Sequence, residues 1–196
     1  MSIKIFSVAE MIAAEKAADA AGISYDQMME SAGKAVADAI IARYPIQNTR
    51  ILILVGPGNN GGDGLVAGRY LAEAGADVAF YLYKPRHPET DPNFARVQAM
   101  GLFIAEWGQD QRARVLRTRL NITDLVIDAL LGTGVSRPIG GELAKLMQQV
   151  RNGLAARRRT LTTASPFATL YPTEETPPPA APPVPVVAVD CPSGLN

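Results

Sequence analysis

Ile51-Leu52-Ile53-Leu54-Val55-Gly56-Pro57-Gly58-Asn59-Asn60-Gly61-Gly62-Asp63-Gly64 joins two textures, an unbroken apolar run and a string of glycines and amides. Five apolar residues without a polar break, bounded by Gly and Pro, predict a strand buried on both faces. Such strands belong to parallel sheets covered by helices. The pattern after the glycine string, Leu65 to Glu73 closed by Gly75, predicts that covering helix.

Outward from this unit the same alternation repeats. Val78 to Tyr83 reads as a second strand and Leu102 to Ala105 as a short third. Asp110 to Leu120 predicts a helix whose Arg112, Arg114, Arg117 and Arg119 form a solvated face. Leu125 to Leu130 is the next strand, followed by Gly132-Thr133-Gly134 and a helix from Gly141 to Val150. Val184 to Asp190 is the last strand. Two helices come first, each opened by a capping box: Ser7 with Glu10, and Ser24 with Gln27. In the second, Met28, Ala32, Ala35, Val36, Ala39 and Ile40 make an apolar stripe at helical spacing. The fold class expected is therefore α/β, a Rossmann-like, doubly wound, mainly parallel sheet with helices on both faces, preceded by two amino-terminal helices.

Composition narrows the chemistry. The 196 residues fit a single domain, and 19 basic residues balance 19 acidic ones, so bulk charge favours neither nucleic acid nor an anionic membrane. No apolar run reaches the ~18 residues of a membrane span, and Met1-Ser2-Ile3-Lys4 does not open a secretory signal. The single Cys191 excludes an intrachain disulfide and suits a reducing cytoplasm. The single His87 speaks against a multi-histidine metal site or a Ser-His-Asp triad. Residues 160–185 hold eight of the fifteen prolines and predict an extended, mobile insertion in the domain.

Gly56-x-Gly58-x-x-Gly61 after a strand fits the dinucleotide fingerprint. That fingerprint also needs an acid at the end of the second strand for a ribose hydroxyl, and here Leu82-Tyr83-Lys84 supplies none. No Gly-Lys-Ser/Thr closes a P-loop either. Asn59, Asn60 and Asp63 add two amides and a carboxylate at a helix mouth, where backbone N–H groups receive phosphate and amide oxygens suit a hard cation. Asp128 and Asp190 end two further strands, and an acid there needs a partner or a task. A helix cap is the plain reading of each alone. Three loops ending in Asp63, Asp128 and Asp190 on one sheet edge favour a site.

Five strings, in this order, resemble the NAD(P)H-hydrate epimerase family, the amino-terminal half of many bifunctional nicotinamide-nucleotide repair enzymes. They are Ser7-Val8-Ala9-Glu10-Met11, Met29-Glu30-Ser31-Ala32-Gly33, Val55 to Gly64, Val126 to Gly134 and Val189-Asp190-Cys191-Pro192-Ser193-Gly194-Leu195-Asn196. The resemblance implies epimerisation of the R and S forms of hydrated NADH or NADPH, which carry a hydroxyl at C6 of the dihydropyridine ring. It implies that Asn59, Asn60, Gly61, Gly62 and Asp63, with Gly132, Thr133, Gly134, Val135, Ser136, Arg137, Pro138 and Asp190, bind this substrate. Asn60, Asp128 and Ser193 would be ligands of a potassium ion. Asp190 is the expected acid and base at the C6 hydroxyl, with Asp63 a second candidate and a ring-opened intermediate an alternative route.

The chain departs from the family in Cys191, where an aliphatic residue is usual, in its long Pro-rich run and in its stop at Asn196, which reads as a truncation. A small buried hydrophobe is the expected role of Cys191. Further expectations are a homodimer through the amino-terminal helices and a fused or separate dehydratase. A nicotinamide-dependent oxidoreductase and a non-catalytic nucleotide-binding scaffold are the competing readings.

Overall fold

The computed structural model describes residues 7–134, 138–162 and 183–193, with backbone only for 158–162. Five strands form one sheet: β1 (Arg50–Val55), β2 (Asp77–Leu82), β3 (Phe103–Glu106), β4 (Leu125–Ala129) and β5 (Val186–Ala188). All neighbouring pairs are parallel, in the order β3-β2-β1-β4-β5. The helices are α1 (Val8–Ala20), α2 (Tyr25–Ile41), α3 (Asn59–Glu73), α4 (Pro92–Ala99), α5 (Arg114–Ile122) and α6 (Gly141–Thr162). No described helix is long and apolar enough to cross a membrane.

Alternation along the strands builds two cores. Ile51, Ile53 and Val55 point to the face covered by α2, α3 and α4, with Phe80, Ile127, Leu71 and Phe94. Leu52 and Leu54 point to the other face, where Leu116 and Leu120 of α5 and Leu146 of α6 pack. Each such side chain, fully buried, contributes about 1.5–3 kcal/mol. The unbroken apolar run of β1 follows from its place at the centre of a sheet covered on both sides. The doubly wound expectation holds.

Several boundaries differ from the sequence reading, for physical reasons. The helix expected from Leu65 begins six residues earlier, so most of the glycine string is helical. Intrinsic propensity disfavours this, at about 1 kcal/mol per glycine; close packing overrides it. The apolar stripe of α2 is also displaced. Gly33, Ala37 and Ile40 are buried, whereas Ala32, Ala35 and Ala39 are exposed. The cause is Gly33, since a Cβ there would lie 2.5 Å from the Cβ of Val66 on α3. Its bareness lets the two helices meet.

The helix α4 was not foreseen, although Asp91 accepts a bond from the Phe94 N–H and Pro92 takes the first turn, both ordinary start signals. The basic helix is broken at its start: Gln111–Ala113 form a 3-10 turn, and Arg112 and Ala113 have φ of 57° and 52°. Asp110 stabilises the entry, accepting from Val115 N–H (3.0 Å), Leu116 N–H (2.9 Å) and Tyr81 O–H (2.8 Å). The helix expected to end at Val150 continues to Thr162, and the last strand is shorter than expected. Of the Pro-rich insertion, residues 163–182 lie outside the described residues.

Candidate active site

The strand order reverses between β1 and β4: the chain leaves β1 toward β2 on one side and leaves β4 toward β5 on the other. Loops leaving the carboxyl ends of such a pair diverge and open a crevice, the usual ligand position in this architecture. Gly56 and Leu130 form the floor of that crevice. The Gly56 N–H donates to Ala129 O at 2.9 Å, and a Cβ on residue 56 would overlap the Leu130 carbonyl oxygen.

The first turn of α3 rises from this floor with no side-chain cap at Gly58, so its opening N–H groups have no capping side chain. An arginine missed by the sequence reading fixes the turn. Arg86, its side chain 11% exposed, donates to Gly56 O (2.8 Å) and Gly58 O (2.7 Å) and pairs with Asp91. Nothing in local patterning marks Arg86, because the carbonyls it holds lie about thirty residues upstream. Gly61 is equally constrained: a Cβ there would strike Gly56 O and the Arg86 guanidinium. At Gly62 a Cβ would lie 2.5 Å from Met29 Sδ, which accepts from Asn93 Nδ2 at 3.2 Å.

The structure brings Asn60, Asp128 and Ser193 together around the peptide of Leu131. Asn60 Nδ2 donates to Leu131 O at 2.9 Å, and the Leu131 N–H donates to Ser193 Oγ at 3.1 Å. Ser193 Oγ donates to Asp128 Oδ1 at 2.7 Å, and the Ser193 N–H donates to Asp128 Oδ2 at 2.9 Å. Leu130 N–H also reaches Asp128 Oδ1 at 3.2 Å. Asp128 therefore has the partners that a carboxylate at a strand end requires. One atom is left over: Asn60 Oδ1 is buried and accepts no hydrogen bond. A buried amide oxygen without a donor costs about 1–3 kcal/mol, which a ligand can offset. Among the described residues no group of three or more His, Cys, Asp or Glu gathers, so this set offers a hard cation oxygen and little else.

Asp190 stands at the next strand end, with φ of 66°. Its Oδ2 accepts from the Thr133 N–H at 2.7 Å. The two loops close so tightly that a Cβ on Gly132 would lie 2.7 Å from that oxygen and 3.4 Å from Asn60. Asp63, one turn into α3, faces the same space. Burial first, then the carboxylates of Asp190 and Glu15, pushes its pKa from 3.8 up to about 7. Its carboxyl makes no hydrogen bond to another described residue. It is the one acid here poised to hold a proton near neutrality.

Among the remaining expected residues, Asn59, Gly134 and Pro138 are exposed on the rim, and Val135, Ser136 and Arg137 lie outside the described residues. Burial, with Asp190 and Asp128 nearby, raises the Cys191 pKa, which favours the inert thiol.

The family model for the YjeF-related protein N-terminus matches residues 25–196. The chain belongs to that family. A bifunctional NAD(P)H-hydrate repair enzyme from Thermofilum pendens is 35% identical over 154 residues, 76% of this chain and 29% of the relative. An NAD(P)H-hydrate epimerase from Limosilactobacillus fermentum is 31% identical over 175 residues, 89% of this chain and 67% of the relative. The crystal structure of yeast ynu0, YNL200c, superposes with a TM-score of 0.68 at 22% identity, covering 98% of this chain and 72% of that one. That likeness supports the fold. The chain thus spans under a third of the bifunctional relative and two thirds of the bacterial one.

Proposed function

We propose that the chain is an NAD(P)H-hydrate epimerase, an isomerase interconverting the R and S forms of hydrated NADH and NADPH. The observation that carries this reading is the gathering of Asn60, Asp128, Asp190 and Ser193 around one loop at the crevice, with Asp63 facing them. The names of the similar epimerases and repair enzymes support the reaction class. The missing acid after β2 argues against a dehydrogenase that holds NAD through its free ribose 2′-hydroxyl.

The substrate carbon C6 bears both a hydroxyl and the ring nitrogen. The nitrogen lone pair can expel the hydroxyl once it is protonated, leaving a planar iminium centre. Water returning to the opposite face inverts the carbon. Asp63, protonated up to about pH 7, can give the proton that turns the departing hydroxyl into water. Asp190, across the crevice, can take the proton of the incoming water, and the roles exchange in the reverse direction. The first-turn N–H groups of α3 would receive the pyrophosphate.

The donor set of Asn60 Oδ1, Asp128 and Ser193 Oγ fits a potassium ion, because the buried Asn60 oxygen otherwise accepts nothing. Such an ion would hold the β4 and β5 loops together and offset phosphate charge. The residues themselves orient Leu131 and thereby aim Thr133 at Asp190.

A homodimer would use the apolar surface left by Val8, Met11, Ile12, Ile23 and Tyr25, all exposed around α1, which buries none of its own residues. A dehydratase, fused or separate, would consume one epimer; the bifunctional relative's name agrees with a second activity in one chain. A reducing cytoplasm suits the lone thiol and the substrate.

Epimer-resolved chromatography of hydrated NADPH tests the reading, with the chain present in potassium or lithium buffer. Exchange well above the spontaneous rate, faster in potassium, is expected. Exchange at the spontaneous rate in both buffers, with a folded chain, overturns it.

A further inference from the structure

Beyond the crevice lies a larger cleft of about 710 Å³ at the carboxyl ends of β2 and β3. Tyr83 and Lys84 form one wall, Trp107 another, and Arg112, Arg117 and the start of α6 the rest. Nothing in the proposed chemistry uses it.

Its electrostatics are uneven. Of its three carboxylates, Asp110 is engaged by Tyr81 and two α5 N–H groups, and Glu142 by Lys145 (2.6 Å) and Trp107 Nε1 (3.1 Å). Glu106 accepts from the Gln109 amide (3.3 Å), while Lys84, Arg112, Arg117 and Lys145 outnumber the carboxylates. Lys84, Arg112 and Arg117 form no ion pair with a described residue; Lys84 rests 5.0 Å from the centre of the Tyr83 ring. Cations with free donors beside two aromatic rings suit a phosphorylated purine nucleoside.

The position agrees. In doubly wound sheets a dinucleotide crosses the strand-order reversal, with its adenosine half over the second strand. An acid at the end of that strand selects a free ribose 2′-hydroxyl, whereas a cation there accepts a 2′-phosphate. Here the end of β2 leads into Tyr83-Lys84. Pro85 walls both this cleft and the smaller one beside Gly58 and Asn59, so the two are immediate neighbours. From β5 to β2 is three strand spacings, roughly 14 Å.

We infer that the cleft bounded by Lys84, Trp107 and Arg117 binds the 2′-phosphoadenosine end of the substrate and makes hydrated NADPH the preferred form. The inference rests on the proposed reaction only for what occupies the other end. Lys84 and Arg117 clasp the 2′-phosphate, and the adenine lies against Trp107, held in place by Glu142.

Trp107 is the only tryptophan, so its fluorescence reports this cleft alone. Titration of the full chain with adenosine 2′,5′-bisphosphate, adenosine 3′,5′-bisphosphate and adenosine 5′-monophosphate is the test. The 2′,5′-bisphosphate is expected to quench with an affinity about tenfold higher than the monophosphate, and higher than its 3′ isomer. Lys84→Gln and Arg117→Gln change exposed side chains, so the fold survives; each should remove most of that advantage and bring the KM values for hydrated NADH and NADPH together. Equal binding of the three nucleotides, or an advantage retained in both variants, overturns the assignment. A chain that shows the expected quenching but exchanges epimers at the spontaneous rate keeps the cleft and loses the reaction. A chain that exchanges epimers without nucleotide discrimination keeps the reaction and loses the cleft.

Discussion

Asp63 carries a testable pH signature. In the fold its pKa stands at about 7 against 3.8 for an ordinary aspartate, because burial and the Asp190 and Glu15 charges disfavour ionisation. The unfolded chain therefore releases a proton that the folded chain keeps. Stability from this group is whole below pH 3.8 and is lost as pH climbs through about 7. Asp63→Asn should accordingly raise Tm at pH 8, by about 2–6 °C for a solvent-screened gain of about 1–2 kcal/mol, and by little at pH 4. Thermal melts at the two pH values check this; an equal shift at both would show that ionisation is not the cause. If Asp63 is the proton donor proposed above, exchange should slow above about pH 7. At Asp190, the Asn variant keeps the shape and tolerates a positive φ, so a fall in exchange of about 100-fold or more reads the loss of the carboxylate itself. Near wild-type exchange would remove Asp190 from the mechanism.

The sequence spoke clearly at the level of elements wherever the signal was local. Both capping boxes are present as expected, with Ser7 and Ser24 accepting from Glu10 and Gln27. The β1 run is buried on both faces, and Asp128 at the end of β4, Asp190 just past β5 and Asp63 one turn into α3 fall at one edge of the sheet. What stayed hidden was set by partners distant in sequence. The helical state of Asn59 to Gly64 depends on packing against Gly56, Met29 and Ala129, which propensity does not register. The rotated face of α2 depends on Val66, and the Arg86 clamp on carbonyls across the crevice. Two substitutions probe these contacts. Gly56→Ala forces a methyl group into the Leu130 carbonyl and should cost about 3 kcal/mol by chemical denaturation, parting β1 from β4 at the crevice floor. Asp110→Ala strips the α5 entry of two N–H partners and leaves the Tyr81 hydroxyl unpaired, at about 2–3 kcal/mol. A cost below about 0.5 kcal/mol in either case would show that the contact is not a constraint.

Across the whole molecule, the proposed ion and the proposed dimer can each be tested without turnover. A potassium ion that binds only the folded chain adds stability as its concentration exceeds Kd, about 2.7 kcal/mol at a hundredfold excess. Tm should rise by about 3 °C or more on exchanging lithium for potassium, and Asn60→Ala should abolish the difference. No difference between the salts in the parent chain would dismiss the ion. For the dimer, sedimentation should give twice the monomer mass, and Met11→Glu with Ile12→Glu should halve it. A monomeric parent chain would leave the α1 surface without that role.

The backbone at Asp190 has one more consequence. Its φ of 66° is a conformation glycine enters freely and aspartate enters at a cost of up to about 1 kcal/mol. The Thr133 N–H bond to the same side chain offsets that cost, so Asp190→Gly should leave thermostability nearly unchanged. A laboratory lineage screened for heat resistance alone should therefore be free to lose the acid, whereas one screened for exchange should keep it if the proposed role holds.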